Sequence, residues 1–292
     1  MSNVKLISVK DFSPEELRKW QLKLLEILVY FRDFCEDHHI KFFLSGGTCL
    51  GAIRHKGFIP WDDDVDVVLL REDYEKLISI WNKEADTSRF VCCVSNSKQS
   101  SRFPMATIRS VNTTCIYDHS VDDDLCQGLK IDIEFLDVVP QNGISRKIHD
   151  LCEGLLGLFR TQRIPKRMSK LRTLSSKFLF ILFPTNNLKW KVSVLCEKYV
   201  RRFNPPKEGD YVRYLLCHTH PVNLFTDRVW VDFEGYKMPL VSGYDTLLKN
   251  AYGDYMQLPP ENQRLPATDN LVFYDLDNSY KKYKGVYYCV NK

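Results

Sequence analysis

Four aspartates fall within five residues, Asp62, Asp63, Asp64 and Asp66, and lead directly into Val67-Val68-Leu69-Leu70. Charges of one sign at this spacing repel, and strands disfavour aspartate. Yet Val65, Val67 and Val68, set among and after the acids, ask to be buried. A strand over 64–70 satisfies both demands, because alternate residues point to opposite faces. Asp64 and Asp66 then share one face, with Val65 and Val67 on the other. A cation bound to the acidic face turns repulsion into attraction. Mg2+ suits such a pair, since it takes one or two protein carboxylates and completes its shell from water and phosphate oxygens. A calcium loop of the EF-hand type is excluded: one beginning at Asp62 needs glycine sixth and glutamate twelfth, where this chain has Val67 and Asp73.

Upstream, residues 40–44 read as a short buried strand that breaks at Ser45-Gly46-Gly47, with a helix over 48–55. Glycines at a strand-to-helix turn let backbone amides approach a phosphate and aim the helix N-terminus at it. Downstream, residues 128–139 form the clearest further strand, with Asp132 and Glu134 on one face. The remaining pattern predicts a helix over 13–35, opened by Ser13-Pro14-Glu15-Glu16. A second helix falls over 71–81, with strands over 90–94 and 106–111 and helices over 151–159 and 174–183. Pro205-Pro206 marks a joint, and the tail carries turn signals at Tyr252-Gly253-Asp254-Tyr255 and Pro259-Pro260.

With 292 residues, the chain can build its core without staples, so its ten cysteines need not pair. None forms a C-x-x-C pair, which argues against a structural zinc site and for reduced thiols in a cytoplasmic protein. The N-terminal residues lack a signal-peptide pattern, and the apolar stretch at 178–183 is far short of the roughly 20 residues that span a bilayer. Residues 146–202 hold fourteen Lys or Arg against three Asp or Glu, a local net of +11, while the rest of the chain is acidic at −7. Such a block suits an anionic surface or a solvated helical face. It lacks a nucleic-acid motif and interleaved aromatics, so no nucleic-acid partner is expected. Three parts result: a core over 1–140, a basic helical region over 141–205, and a C-terminal segment over 206–292 that completes a cleft.

A Gly-Gly turn, a D-x-D strand and a third acid on a later strand, in that order, resemble the nucleotidyltransferase superfamily. The stretch Gly46-Gly47-Thr48-Cys49-Leu50-Gly51-Ala52-Ile53-Arg54-His55 through Pro60-Trp61-Asp62-Asp63-Asp64-Val65-Asp66 closely resembles the LicD family, which includes bacterial phosphocholine transferases and fukutin-related proteins. Ile131-Asp132-Ile133 with Leu136-Asp137, and Tyr252-Gly253-Asp254-Tyr255-Met256 with Leu258-Pro259-Pro260, are similar to later motifs of that family. The resemblance implies an α/β fold, a nucleotidyltransferase-like mixed sheet flanked by helices. It also implies transfer of a phospho-substituent, phosphocholine first among the options, from a CDP-linked donor to a hydroxyl of a cell-surface glycan precursor, with CMP leaving. By motif position, Asp64 and Asp66 would hold Mg2+ or Mn2+, and Asp132 would complete the site or deprotonate the acceptor, with Glu134 its rival for third acid. Gly46, Gly47 and Thr48 would cradle phosphate oxygens.

Other polar positions stay open at this level. Arg54 could pair a phosphate or the acidic strand, Trp61 could stack on a base or headgroup or anchor a loop, and Arg264 is a further phosphate contact. Asp62 and Asp63 would strengthen cation binding through charge alone. The run Cys217-His218-Thr219-His220 has no matching ligand cluster and is set aside as a metal site. A lipid-linked acceptor would place the protein on the inner face of the membrane, with residues 146–202 as the peripheral contact. The alternative is a metal-dependent glycosyltransferase that uses Asp64-Val65-Asp66 to hold a sugar nucleotide.

Overall fold

The computed structural model describes residues 6–95, 105–161 and 169–290. It opens with α1 (Pro14–Asp37), whose start is the capping box expected from its sequence. The Ser13 hydroxyl accepts from the Glu16 amide at 3.2 Å, and the Glu16 carboxylate accepts from the Ser13 amide at 2.8 Å. Trp20, Leu24, Ile27, Leu28 and Phe31 form one stripe and are completely buried. Each contributes on the order of 1.5–3 kcal/mol by leaving water.

That stripe packs on a mixed sheet. In chain order come β1 (Phe43–Leu44), α2 (Gly46–Arg54), β2 (Asp66–Leu70), α3 (Arg71–Glu84), β3 (Phe90–Cys93), β4 (Ala106–Ser110), β5 (Thr114–Tyr117) and β6 (Lys130–Val139). The main sheet runs β1-β2-β6-β4-β3, with β2 and β6 parallel and the other pairs antiparallel. The expected α/β class, with a mixed sheet between helices, is what the structure has. Period-two alternation on β2 and β6 divides the sheet cleanly. Val67, Leu69, Ile131, Ile133 and Phe135 join the α1 core, while Asp66, Val68, Asp132, Glu134 and Leu136 turn to the other side.

The expected boundaries shift for identifiable reasons. The strand predicted over 40–44 is only Phe43–Leu44, in register with Val68 and Val67. The strand predicted over 64–70 begins at Asp66, so Asp64 precedes it. The turn before β2 is held by side chains rather than by the ladder, because Trp20 Nε1 donates to the Asp63 carbonyl at 2.8 Å and Gln21 Nε2 to the Asp62 carbonyl at 2.9 Å. α2 begins at Gly46 rather than 48, since the Ser45 amide still donates to the Asp66 carbonyl at 2.9 Å.

The basic region supplies α4 (Gly143–Thr161), α5 (Lys170–Leu182) and α6 (Asn186–Arg201), with α4 packed along α6. Arg163, Lys166 and Arg167 of the charge block lie outside the described residues. The tail then adds β7 (Tyr211–Arg213), β8 (His220–Pro221), the hairpin of β9 (Arg228–Phe233) and β10 (Tyr236–Val241), α7 (Tyr244–Tyr252) and β11 (Leu271–Asp275). β7 pairs with the distal half of β6, and β11 pairs with β5, so the tail is woven into the sheets of the N-terminal half. Among the described residues, no helix is long and apolar enough to cross a membrane.

Candidate active site

The parallel register of β2 and β6 sets Asp66 directly beside Asp132, and Val68 beside Glu134. Pairing extends one residue upstream, where the Asp132 amide donates to the Val65 carbonyl at 2.9 Å. On the other flank of β2, α2 begins at Gly46, whose φ of +50° lies in the left-handed region that favours glycine. A Cβ on Gly46 would stand 3.6 Å from Asp66 Oδ2, and one on Gly47 only 3.0 Å from Asp62 Oδ2. The N-terminus of α2 therefore faces the acids, where its exposed amides and positive dipole end favour negative charge.

These carboxylates are poorly compensated. Burial pushes the Asp62, Asp64 and Asp66 carboxyls above the usual range, and repulsion from the neighbouring acids adds to it, Asp63 and Asp132 acting on Asp64, and Asp64, Asp132 and Glu134 on Asp66. Packed this closely and half-withdrawn from water, these carboxyls resist full ionisation together. Burial and the neighbouring Asp132 push Glu134 up to about 7. Its Oε2 accepts from the Ser45 hydroxyl at 3.4 Å. Against these acids stands Lys130, two residues before Asp132 on the same face, which donates to Asp132 Oδ1 at 2.5 Å and also to Oδ2. Such a set of hard oxygen donors with excess negative charge fits a divalent cation, which would relieve the repulsion among them.

Several predicted residues take roles that the sequence did not announce. Asp63 acts on Asp62 and Asp64 through its charge, but its oxygens are engaged elsewhere. Its Oδ1 and Oδ2 accept from the amides of Ala267 and Thr268 at 2.9 and 3.0 Å, clamping the tail to the core. Thr48 is buried, and its hydroxyl oxygen accepts from the Asp66 amide at 3.0 Å, so it positions Asp66 rather than presenting itself as an open phosphate ligand. Arg54 pairs with no carboxylate of the acidic strand. It donates to the carbonyls of Tyr255 and Gln257 at 2.9 and 3.3 Å, and to His55 Nε2 at 2.9 Å. Arg264 donates to the Pro259 carbonyl at 2.8 Å, and its guanidinium lies 5.7 Å from the centre of the Trp61 ring. Trp61 also meets His55 edge-on at 6.2 Å. Arg54, Trp61 and Arg264 thus gather in one rim between the core and residues 255–264, and the Arg264 charge adds to burial in lowering the Arg54 value.

Sequence reasoning missed Lys130 and Tyr252. Lys130 carried a signal, since period-two alternation places it on the face of Asp132. Tyr252 carried none beyond its place in the tail motif. Burial and the charges of Asp62, Asp66 and Asp64 raise its hydroxyl, which brings α7 to the acid cluster.

A second ligand-like group, His149, Asp150 and Glu153 on α4, brings its atoms within 4.8 Å of one another. Arg213 already fills it. The guanidinium pairs with Asp150 and, at 2.5 Å, with Glu153. A cation there would have to displace a buried, paired arginine, so this group reads as an ion network.

The matched family profile, described as LicD/FKTN/FKRP, nucleotidyltransferase domain, covers residues 39–117, from the end of α1 through β5. Over 86% of its length the chain is 31% identical to a lipopolysaccharide cholinephosphotransferase, LicD of Haemophilus influenzae, covering 95% of that protein. This chain belongs to the LicD family. A more distant LicD-family likeness, 38% identity over 60 residues, is to the mouse ribitol-5-phosphate transferase FKTN, and spans 20% of this chain and 13% of that protein. The LicD-domain match contains Gly46, Gly47, Asp64 and Asp66 but stops short of Asp132 and Tyr252, which the fold brings to the same place.

Proposed function

We propose that this LicD-family protein is a phosphotransferase that moves phosphocholine from a CDP-linked donor to a hydroxyl of a cell-surface glycan precursor, releasing CMP. The observation that carries the proposal is the side-by-side placement of Asp66 and Asp132, with Asp64 beside them and the N-terminus of α2 facing the same point. The name of the Haemophilus influenzae relative, a cholinephosphotransferase acting on lipopolysaccharide, supports the choice of headgroup and acceptor class.

Asp64 and Asp66 would hold Mg2+ or Mn2+, with Asp62 and Asp132 contributing charge. The cation would supply neutralisation of the donor's phosphate oxygens. Gly46 and Gly47 leave room for those oxygens beside the first amides of α2, while Thr48 keeps Asp66 in place. In the reaction, the acceptor oxygen forms a bond to the distal phosphorus of the donor and the bridging P–O bond to CMP breaks. The acceptor's proton passes to the acid set, and we assign it to Asp132. Lys130, bound to both oxygens of Asp132, adds positive charge next to the reacting phosphate. Residues 1–140 would carry this chemistry, and residues 206–292 would close the cleft through Arg54, Trp61 and Arg264.

The acceptor side of the proposal includes peripheral contact with the membrane. Leu171, Leu174, Phe178, Ile181 and Leu182 form a single stripe on α5, and Leu171 and Ile181 are 78% and 76% exposed. A helix of a globular domain ordinarily buries its apolar stripe. With Lys170 and Lys177 beside it, the stripe suits the interface of an anionic bilayer, where lipid-linked precursors reside.

The test is CMP release from a panel of CDP donors with Mg2+ or Mn2+, comparing wild type with Asp64→Asn and Asp132→Asn. CMP from CDP-choline, abolished in both variants, is the expected result. Turnover of a sugar nucleotide with no CMP from any CDP donor would replace the proposal with a glycosyltransferase.

A further inference from the structure

Beside the acid cluster lies a cavity of about 220 Å³. Gly46 and Tyr252 belong to both: they line the cavity, and each stands against the acids, Gly46 beside Asp66 and Tyr252 in the field of Asp62, Asp66 and Asp64. The floor comes from the outward face of β2 and β6. That face changes character along the strands, from Asp66 and Asp132, through Glu134, to Val68 and Leu136. The far wall comes from the tail, which contributes Tyr214 and Phe225, with Phe225 braced by Phe43 at 6.1 Å. Tyr214 and Glu134 line the same cavity, and burial, then the charge of Glu134, raises the Tyr214 hydroxyl.

The size and chemistry of the space restrict its occupant. Its volume is several times the roughly 30 Å³ of one water, yet below the roughly 300–1,000 Å³ that encloses a drug-sized ligand. It therefore takes a small group rather than a nucleotide. Its walls are mainly apolar, none of the residues lining it is Lys or Arg, and Glu134 supplies a carboxylate. His220, also on the wall, is held toward its neutral form by burial and by His218. A sugar hydroxyl array would leave most of its hydrogen bonds unmade against such walls. A compact organic cation meets all three features, because aromatic faces and a carboxylate attract it while its methyl groups occupy apolar space.

Building on the phosphocholine-transfer reading above, we propose that this cavity is the headgroup pocket, in which Glu134 and the rings of Tyr214 and Phe225 hold the trimethylammonium of the donor while its phosphorus sits at the acid cluster. Glu134 is then a specificity residue, distinct from Asp132. From the run at 217–220, set aside as a metal site, Cys217, His218 and His220 line the pocket.

The experiment compares CDP-choline with its uncharged isostere, in which carbon replaces the quaternary nitrogen, measuring KM and kcat by CMP release. Wild type is expected to favour CDP-choline by about tenfold or more in KM, the range of a desolvated cation in an aromatic site. In Glu134→Gln the KM for CDP-choline rises toward that of the isostere, whose own KM stays put. Phe225→Leu, which keeps apolar volume and removes the ring, shifts the same ratio in the same direction and provides the reading if Glu134→Gln folds poorly. Equal losses on both donors, or an unchanged ratio in both variants, would overturn the pocket while leaving phosphocholine transfer intact. If wild type releases CMP from a different CDP donor and not from CDP-choline, the headgroup assignment falls and the phosphotransferase stands. If no CDP donor yields CMP, both fall.

Discussion

Carboxylates partly or wholly withdrawn from water occur in two regions of this protein under opposite conditions. Between the core and the basic helices, each has a guanidinium partner. Arg71 donates to Asp137 with Nε at 2.7 Å and also through Nη2, and its guanidinium lies 3.7 Å from the centre of the Phe135 ring. Glu197 on α6 joins Arg71 at 3.4 Å and Arg160 at 2.7 Å. Arg213 on β7 pairs with Asp150 and Glu153 on α4. At the acid cluster, by contrast, Lys130 pairs with Asp132, while burial and mutual repulsion raise Asp62, Asp64, Asp66 and Glu134. Charges paired within the chain fix the architecture. Charges left in excess make a site suited to a cation from outside, the role we propose for it.

The contrast can be broken from either side. The largest expected effect is on the paired side: Arg71→Met leaves Asp137 buried without its partner, and should cost about 3–5 kcal/mol in chemical denaturation. On the excess side, Asp64→Asn should lower kcat at least about 100-fold, comparable to deleting one transition-state electrostatic contact. It should not lower the Tm of the metal-free protein, because it removes a repelling charge. Equal destabilisation by the two substitutions would erase the distinction.

A subtler test uses pH. Asp62, Asp64, Asp66 and Glu134 all have values raised by folding, so the folded state holds more protons than the unfolded one across the neutral range. Stability from these groups therefore falls as pH rises from the ordinary carboxylate range through their folded values, with Glu134 at about 7. Metal-free protein should melt higher at pH 6 than at pH 8, and Mg2+ should raise the Tm more at pH 8, where fewer protons compete. A Mg2+ increment that shrinks with rising pH would count against cation binding by these acids. The smallest effect on stability should come from Phe178→Ser with Ile181→Ser, within about 0.5 kcal/mol for exposed positions. The same pair should abolish co-sedimentation with anionic vesicles at low salt. Retained sedimentation would remove α5 as the docking element.

Much of the core was legible because it is local and periodic. The capping box, the apolar stripe of α1 and the alternation of β6 depend on neighbours three or four residues away, or two on a strand. Asp63 and Asp64 were less legible. They are adjacent and chemically alike, yet one clamps the amides of residues 267 and 268 and the other enters the acid cluster. Arg54, read in sequence as a phosphate or acidic-strand partner, also holds carbonyls two hundred residues away, which no local pattern announced. Lys130 could have been read from its alternation with Asp132, whereas Tyr252 could not.

The amino-acid order alone determined that this chain carries a Gly-Gly turn, a D-x-D run entering a strand and two further acids at alternate positions on a later strand, because spacing and alternation survive without any knowledge of contacts. The parallel register of β2 and β6, the partner of each buried charge and the cavity between Glu134 and Phe225 were decided only by tertiary structure. Those features join segments far apart in the chain, and nothing local encodes which of several equivalent carboxylates or guanidiniums will meet once the sheet has closed.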